Sequence, residues 1–77
     1  MNKQRRKQIN DLIDKLSDLS DQLETLKEEE QEYADNMPEN LQSSEKHDKA
    51  EEAVSEMDDA NESILSAIDS LENLVAS

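Results

Sequence analysis

Residues 9–26 read INDLIDKLSDLSDQLETL. Within them Ile9, Leu12, Leu16, Leu19, Leu23 and Leu26 follow one another at spacings of 3, 4, 3, 4 and 3. That rhythm is the seam of a helix packed lengthwise on another helix. With Ile9 at heptad position a, Leu16 and Leu23 are also a, Leu12, Leu19 and Leu26 are d, and Ile13 is e. Continued, the seam passes through Glu30, Tyr33 and Met37, and Pro38 follows at once. Proline lacks an amide donor and disfavours helix in the residue before it. The spacing therefore predicts a first helix over 2–35 and a turn over 36–43. Tyr33, Met37 and Leu41 are expected to close the end of the seam.

Ser43 or Ser44 supplies the N-cap of a second helix over 44–76, and Glu45 suits its positive end. The apolar stripe there is Ala50, Ala53, Met57, Ala60, Ile64, Ala67 or Ile68, Leu71 and Leu74, with Val54, Leu65 and Val75 beside it. Two helices of matched length joined by a short turn make an antiparallel hairpin. Folding at residue 39 or 40 pairs positions whose numbers add to about 79. Leu19 then faces Ala60, Leu23 faces Met57, Leu26 faces Ala53, Leu16 faces Ile64 and Ile9 faces Leu71. Large residues meet small ones near the turn, and large meets large toward the open end. The fold class expected is all-α: a two-helix hairpin assembling into a homo-oligomeric helical bundle. Assembly is expected because one hairpin leaves Ile13, Leu65, Ile68, Leu71, Leu74 and Val75 as a flank to be covered, a dimer being the commonest form.

Composition bounds the rest. The chain has 77 residues, no cysteine, no glycine, one proline and one aromatic residue, Tyr33. That excludes disulfides and thiolate metal sites, and it suits long helices rather than a sheet. The net charge of −13 is uneven. Lys3, Arg5, Arg6 and Lys7 stand at the start without an acid among them, and from Ala50 onward there are eight acids and no base. No apolar segment resembles a secretory signal or approaches the roughly 20 apolar residues of a membrane span. A soluble, cytoplasmic protein without membrane contact is expected.

The basic start is the one positive patch. It can be a solvated end paired with Asp69 and Glu72 across the hairpin, or a phosphate-binding cluster, since arginine forks suit phosphates. Lys3, Arg5, Arg6, Lys7 and Tyr33 are the candidate ligand-binding residues. Direct nucleic-acid binding is disfavoured, because the acidic remainder repels a polyanion and no aromatics interleave for stacking. The acidic faces are either solvated helix surface or a mimic of a DNA phosphate array. Tyr33 is either a plug at the hairpin end or a stacking anchor. His47 and Glu51 give at most two metal ligands, so neither a metal site nor a cofactor is expected. No nucleophile elbow, catalytic triad or phosphate loop is present, which argues for a non-enzymatic protein.

The stretch Glu32-Tyr33-x-x-Asn36-Met37-Pro38-Glu39-Asn40-Leu41-Gln42-x-Ser44-Glu45, followed by an acidic helix with Ala and Leu spacing, resembles small acidic hairpin proteins of phages and prophages of Gram-positive bacteria. The resemblance covers nearly the whole chain, and its specific part is the Tyr-x-x-x-Met-Pro-Glu-x-Leu-Gln turn. It implies an accessory phage protein acting in the host cytoplasm, of a kind that often counters host defence. The first expectation is sequestration of a small nucleotide signal by the oligomer. The alternatives are an acidic inhibitor or DNA mimic that binds a host defence protein through groups such as Asp58, Asp59 and Glu62, and a structural coiled-coil assembly module.

Overall fold

The computed structural model describes all 77 residues. It is all-helical: α1 runs Lys3–Asp35, a single 3-10 turn spans Glu39–Leu41, and α2 runs Glu45–Ala76. The two helices pack against each other as an antiparallel rod of 60 × 14 × 12 Å. No helix is long and apolar enough to cross a membrane.

Local chemistry sets the boundaries. The Asn2 side-chain oxygen accepts from the Arg5 amide at 2.7 Å and caps α1. Asn36 ends it, donating to the Glu32 carbonyl at 2.9 Å. Pro38 is extended, with φ −53° and ψ 147°, and breaks the helix. Leu41 then donates to the Pro38 carbonyl at 2.8 Å, and the Gln42 side chain ties back to the Met37 carbonyl at 3.2 Å. No residue has a positive φ, which is how a turn without glycine can close. Ser44 caps α2 by accepting from the His47 amide at 3.3 Å, and Glu45 and Asp48 occupy the first turn, where the helix dipole favours acids.

The seam differs from the leucine ladder. On α1 the inward positions are Arg6, Ile9, Ile13, Leu16, Ser20, Leu23, Lys27, Glu30 and Ala34, continued by Met37 in the turn, all half-buried or buried. On α2 they are His47, Ala50, Val54, Met57, Asn61, Ile64, Ile68, Leu71 and Val75. Each helix keeps the 3-4 rhythm but uses the other half of its apolar stripe. Ile9, Leu16 and Leu23 are shared between the expected and the observed seam. Leu12, Leu19 and Leu26 are not, and stand 51%, 51% and 54% exposed.

Part of the reason lies in α2. Its column Val54, Asn61, Ile68 and Val75 carries more bulk than its column Ala53, Ala60, Ala67 and Leu74, and it turns inward, where Asn61 meets Ser20 of α1. Ile68 is only 9% exposed and Ile13 and Val75 are half-buried. These three were expected on the flank; the hairpin itself covers them. Leu71 is half-buried, while Leu65 and Leu74 are exposed.

The register also moves slightly. Ser20 bonds Asn61 and Arg6 bonds Val75, pairs whose numbers add to 81. At the closed end Ala34, Met37 and Ala50 form the tightest cluster. Tyr33 and Leu41, expected to plug that end, are exposed instead. With Ala34 in the seam, Tyr33 falls in the same outward column as Leu12, Leu19 and Leu26 and is left outside.

Candidate functional site

The two sides of the seam are chemically opposite. On one side a polar network joins the helices. The Ser20 hydroxyl donates to the Asn61 side-chain oxygen at 2.6 Å, and the Asn61 amide donates to Glu24 at 3.3 Å. Lys27 donates to Asp58 at 3.0 Å and pairs with Glu24 at 3.1 Å. Hydrogen bonds from the ammonium to Asp58 and then Glu24 hold the Lys27 pKa above its ordinary value, against a smaller opposing effect of desolvation. No buried side-chain nitrogen or oxygen lacks a partner.

Glu24 and Asp58 both reach Lys27, which places their heptad columns on this side. The columns across the seam are therefore Leu12, Leu19, Leu26 and Tyr33 on α1, and Lys46, Ala53, Ala60, Ala67 and Leu74 on α2. An open cleft at the turn end confirms the geometry, since Tyr33 and Lys46 both line it, with Glu29, Glu32, Met37 and Leu41. The result is a face with four large, half-exposed side chains on one helix at a strict seven-residue interval, and on the other three alanines between Lys46 and Leu74. Sequence spacing found these leucines but assigned them to the inside.

The basic start divides in two. The Arg6 guanidinium donates to the main-chain oxygens of Val75 and Ser77, both at 2.9 Å, and satisfies the carbonyl end of α2. The partners are backbone oxygens, not the carboxylates of Asp69 and Glu72. Lys3, Arg5 and Lys7 are exposed and make no ion pair. Tyr33 lies 28 residues along the same helix from Arg5, a distance of about 42 Å. One hairpin therefore does not bring the candidate phosphate ligands and the stacking residue together.

Along α2 the acids also divide. Asp58 is held by Lys27, and Glu51 lies 3.5 Å from the His47 imidazole. Glu52, Glu56, Asp59, Glu62, Asp69 and Glu72 are exposed, and none of them has an ion pair or side-chain hydrogen bond to hold it in place. No group of three or more potential metal ligands is assembled anywhere on the rod. Ser20, Lys27 and Asn61 were missed from sequence. Their signal was available: each polar residue interrupts an apolar rhythm at a seam interval, as a register-setting buried Asn does.

Compared with family models, curated proteins and solved structures, the chain matches none.

Proposed function

We propose that the chain is a non-enzymatic, phage-type inhibitor of host defence: a homo-oligomeric helical bundle, closed through the leucine face, that presents its acidic surface to a host protein. The observation that carries this reading is the set of unpaired carboxylates on α2, with Glu52, Glu56, Asp59, Glu62 and Asp69 on its outer face and Glu72 at the polar flank, on a helix with no base after Lys49. Such an acidic surface costs self-repulsion and gains nothing inside the hairpin. It suits a basic groove that otherwise receives a phosphate backbone. The test is protection of phage growth in a host carrying the targeted defence system. Neutralising Asp59 and Glu62 to Asn and Gln is expected to reduce protection at least tenfold, and raised salt is expected to weaken the purified complex. Unchanged protection with both substitutions sinks this reading.

Sequestration of a small nucleotide is the second reading, and Lys3, Arg5 and Lys7 support it because they are free of ion pairs. The commitment of Arg6 to the α2 carbonyls, which leaves one arginine fewer for a phosphate, places it behind. A thermal-shift series with cyclic nucleotides and ADP-ribose derivatives separates the two. A shift that disappears in Lys3→Ala with Lys7→Ala restores sequestration to first place.

A further inference from the structure

The exposed column on α1 has a property that spacing alone does not reveal. Its members are Arg5, Leu12, Leu19, Leu26 and Tyr33, seven residues apart throughout. The column is therefore symmetric about Leu19. Reversed and laid on itself, Leu19 meets Leu19, Leu12 meets Leu26 and Arg5 meets Tyr33. We propose that a second copy of this chain covers the leucine face, α1 antiparallel on α1, about a two-fold axis at Leu19 that seats each Arg5 in the other copy's Tyr33 cleft.

Charge selects this arrangement over its rivals. The end carrying Arg5 is basic, and the Tyr33 cleft at the other end is lined by Glu29 and Glu32 against one ammonium, Lys46. An antiparallel pair brings the guanidinium to a phenol ring and two carboxylates, a cation–π and ion-pair site at once. A pair with both turns at the same end stacks acid on acid and base on base. The neighbouring column Gln8, Lys15, Gln22 and Glu29 is equally compatible, since reversal places Lys15 beside Gln22 and Gln8 beside Glu29. No like charges meet.

The area is sufficient. The column spans about 42 Å on a body 14 Å wide, on the order of 600 Å² per copy and about 1,200 Å² for the pair. That lies at the lower end of what specific pairs bury. A lone hairpin buries only five residues, two of them alanine, and fully buries no large side chain. The second copy gives the shared residues Ile9, Leu16 and Leu23 a covered outer side.

This inference deepens only the bundle component of the function proposed above; the acidic surface is tested separately by the phage assay. The chain contains no cysteine, so single spin labels can be placed through Asp35→Cys or Gln4→Cys, both exposed positions. Sedimentation is expected to show a particle of two 8.8 kDa chains. Two labels at position 35 are expected about 50 Å apart, and a mixture labelled at 4 and at 35 is expected to give a distance under about 20 Å. Arg5→Glu is expected to weaken pairing about tenfold with unchanged helix content. A folded monomer overturns the proposal. So does a pair whose two position-35 labels lie under about 20 Å, and so does an Arg5→Glu chain that pairs as well as the original.

Discussion

The two sides of the hairpin seam are built from the same helices yet complete themselves differently. On the polar side Ser20, Asn61, Glu24, Lys27 and Asp58 satisfy one another within one chain. On the leucine side Leu12, Leu19, Leu26 and Tyr33 remain about half exposed. Hydrogen bonds are directional and demand particular partners, so the polar side fixes which residue of α1 lies beside which of α2. Apolar burial is non-directional and proportional to area, so the leucine side supplies adhesion without a register of its own. A fold this thin separates the two tasks, specifying itself on one side and gaining area on the other.

The contrast can be broken in four places. The largest effect is expected from Leu19→Glu combined with Leu26→Glu. These place charge in the proposed contact, and self-association measured by sedimentation is expected to fall more than 100-fold while α1 and α2 stay helical. If pairing persists, the leucine side is ordinary surface. Next is Ala34→Leu, at a position that is fully buried. Overpacking there is expected to cost about 1–3 kcal/mol in urea unfolding.

Asn61→Ala follows, at about 1–2 kcal/mol, because it leaves Ser20 and Glu24 without their cross-helix partner. Its sharper companion is Asn61→Leu. That chain is expected to unfold at higher temperature but to lose a unique register, visible as doubled amide resonances, the trade seen when a seam Asn is replaced. A single register in Asn61→Leu would show that the turn alone sets the alignment.

The smallest effect concerns Lys27, whose pKa in the folded chain lies above the ordinary value of 10.5. A raised pKa stabilises the fold at every pH below the unfolded value, and that contribution is lost as pH rises through the folded one. Melting temperature attributable to Lys27 is therefore expected to be flat through neutral pH and to decline only in the alkaline range above 10.5. Lys27→Met is expected to remove that decline. A Lys27-dependent change between pH 5 and 8 would contradict the assignment.

How much of this was legible beforehand depends on the kind of signal. Pro38 and Ser44 act locally, through a missing donor and a cap, and they place the helix ends within a residue of Asp35 and Glu45. The choice of seam is not local. Ile9, Leu16 and Leu23 sit at the middle of an apolar stripe wide enough to face either way, and α1 alone favours the wrong side, since Leu12, Leu19, Leu26 and Tyr33 outweigh Ile13, Ser20, Lys27 and Ala34. What favours the observed side lies partly on α2, in Val54, Ile68 and Val75, and partly in the Ser20–Asn61 and Lys27–Asp58 bonds, and both act only once the helices meet. Lys27 and Ser20 look like solvated surface in α1 because their partners, Asp58 and Asn61, lie 31 and 41 residues away on the other helix. The basic cluster was legible as a cluster. That Arg6 serves the backbone of Val75 rather than a carboxylate was not, because carbonyl ends carry no sequence mark.

The bonds from Arg6 to Val75 and Ser77 are also the first to be loaded when the rod is pulled open. Both helix ends that lie at the open end face the same way, so tension applied there loads the seam one layer at a time, as a zipper, rather than shearing all layers together. Arg6 is the first fastener in that sequence, the Ser20–Asn61 layer lies midway, and the Ala34 and Met37 cluster comes last. Single-molecule extension is accordingly expected to proceed in small successive steps at low force, with Arg6→Ala removing the first.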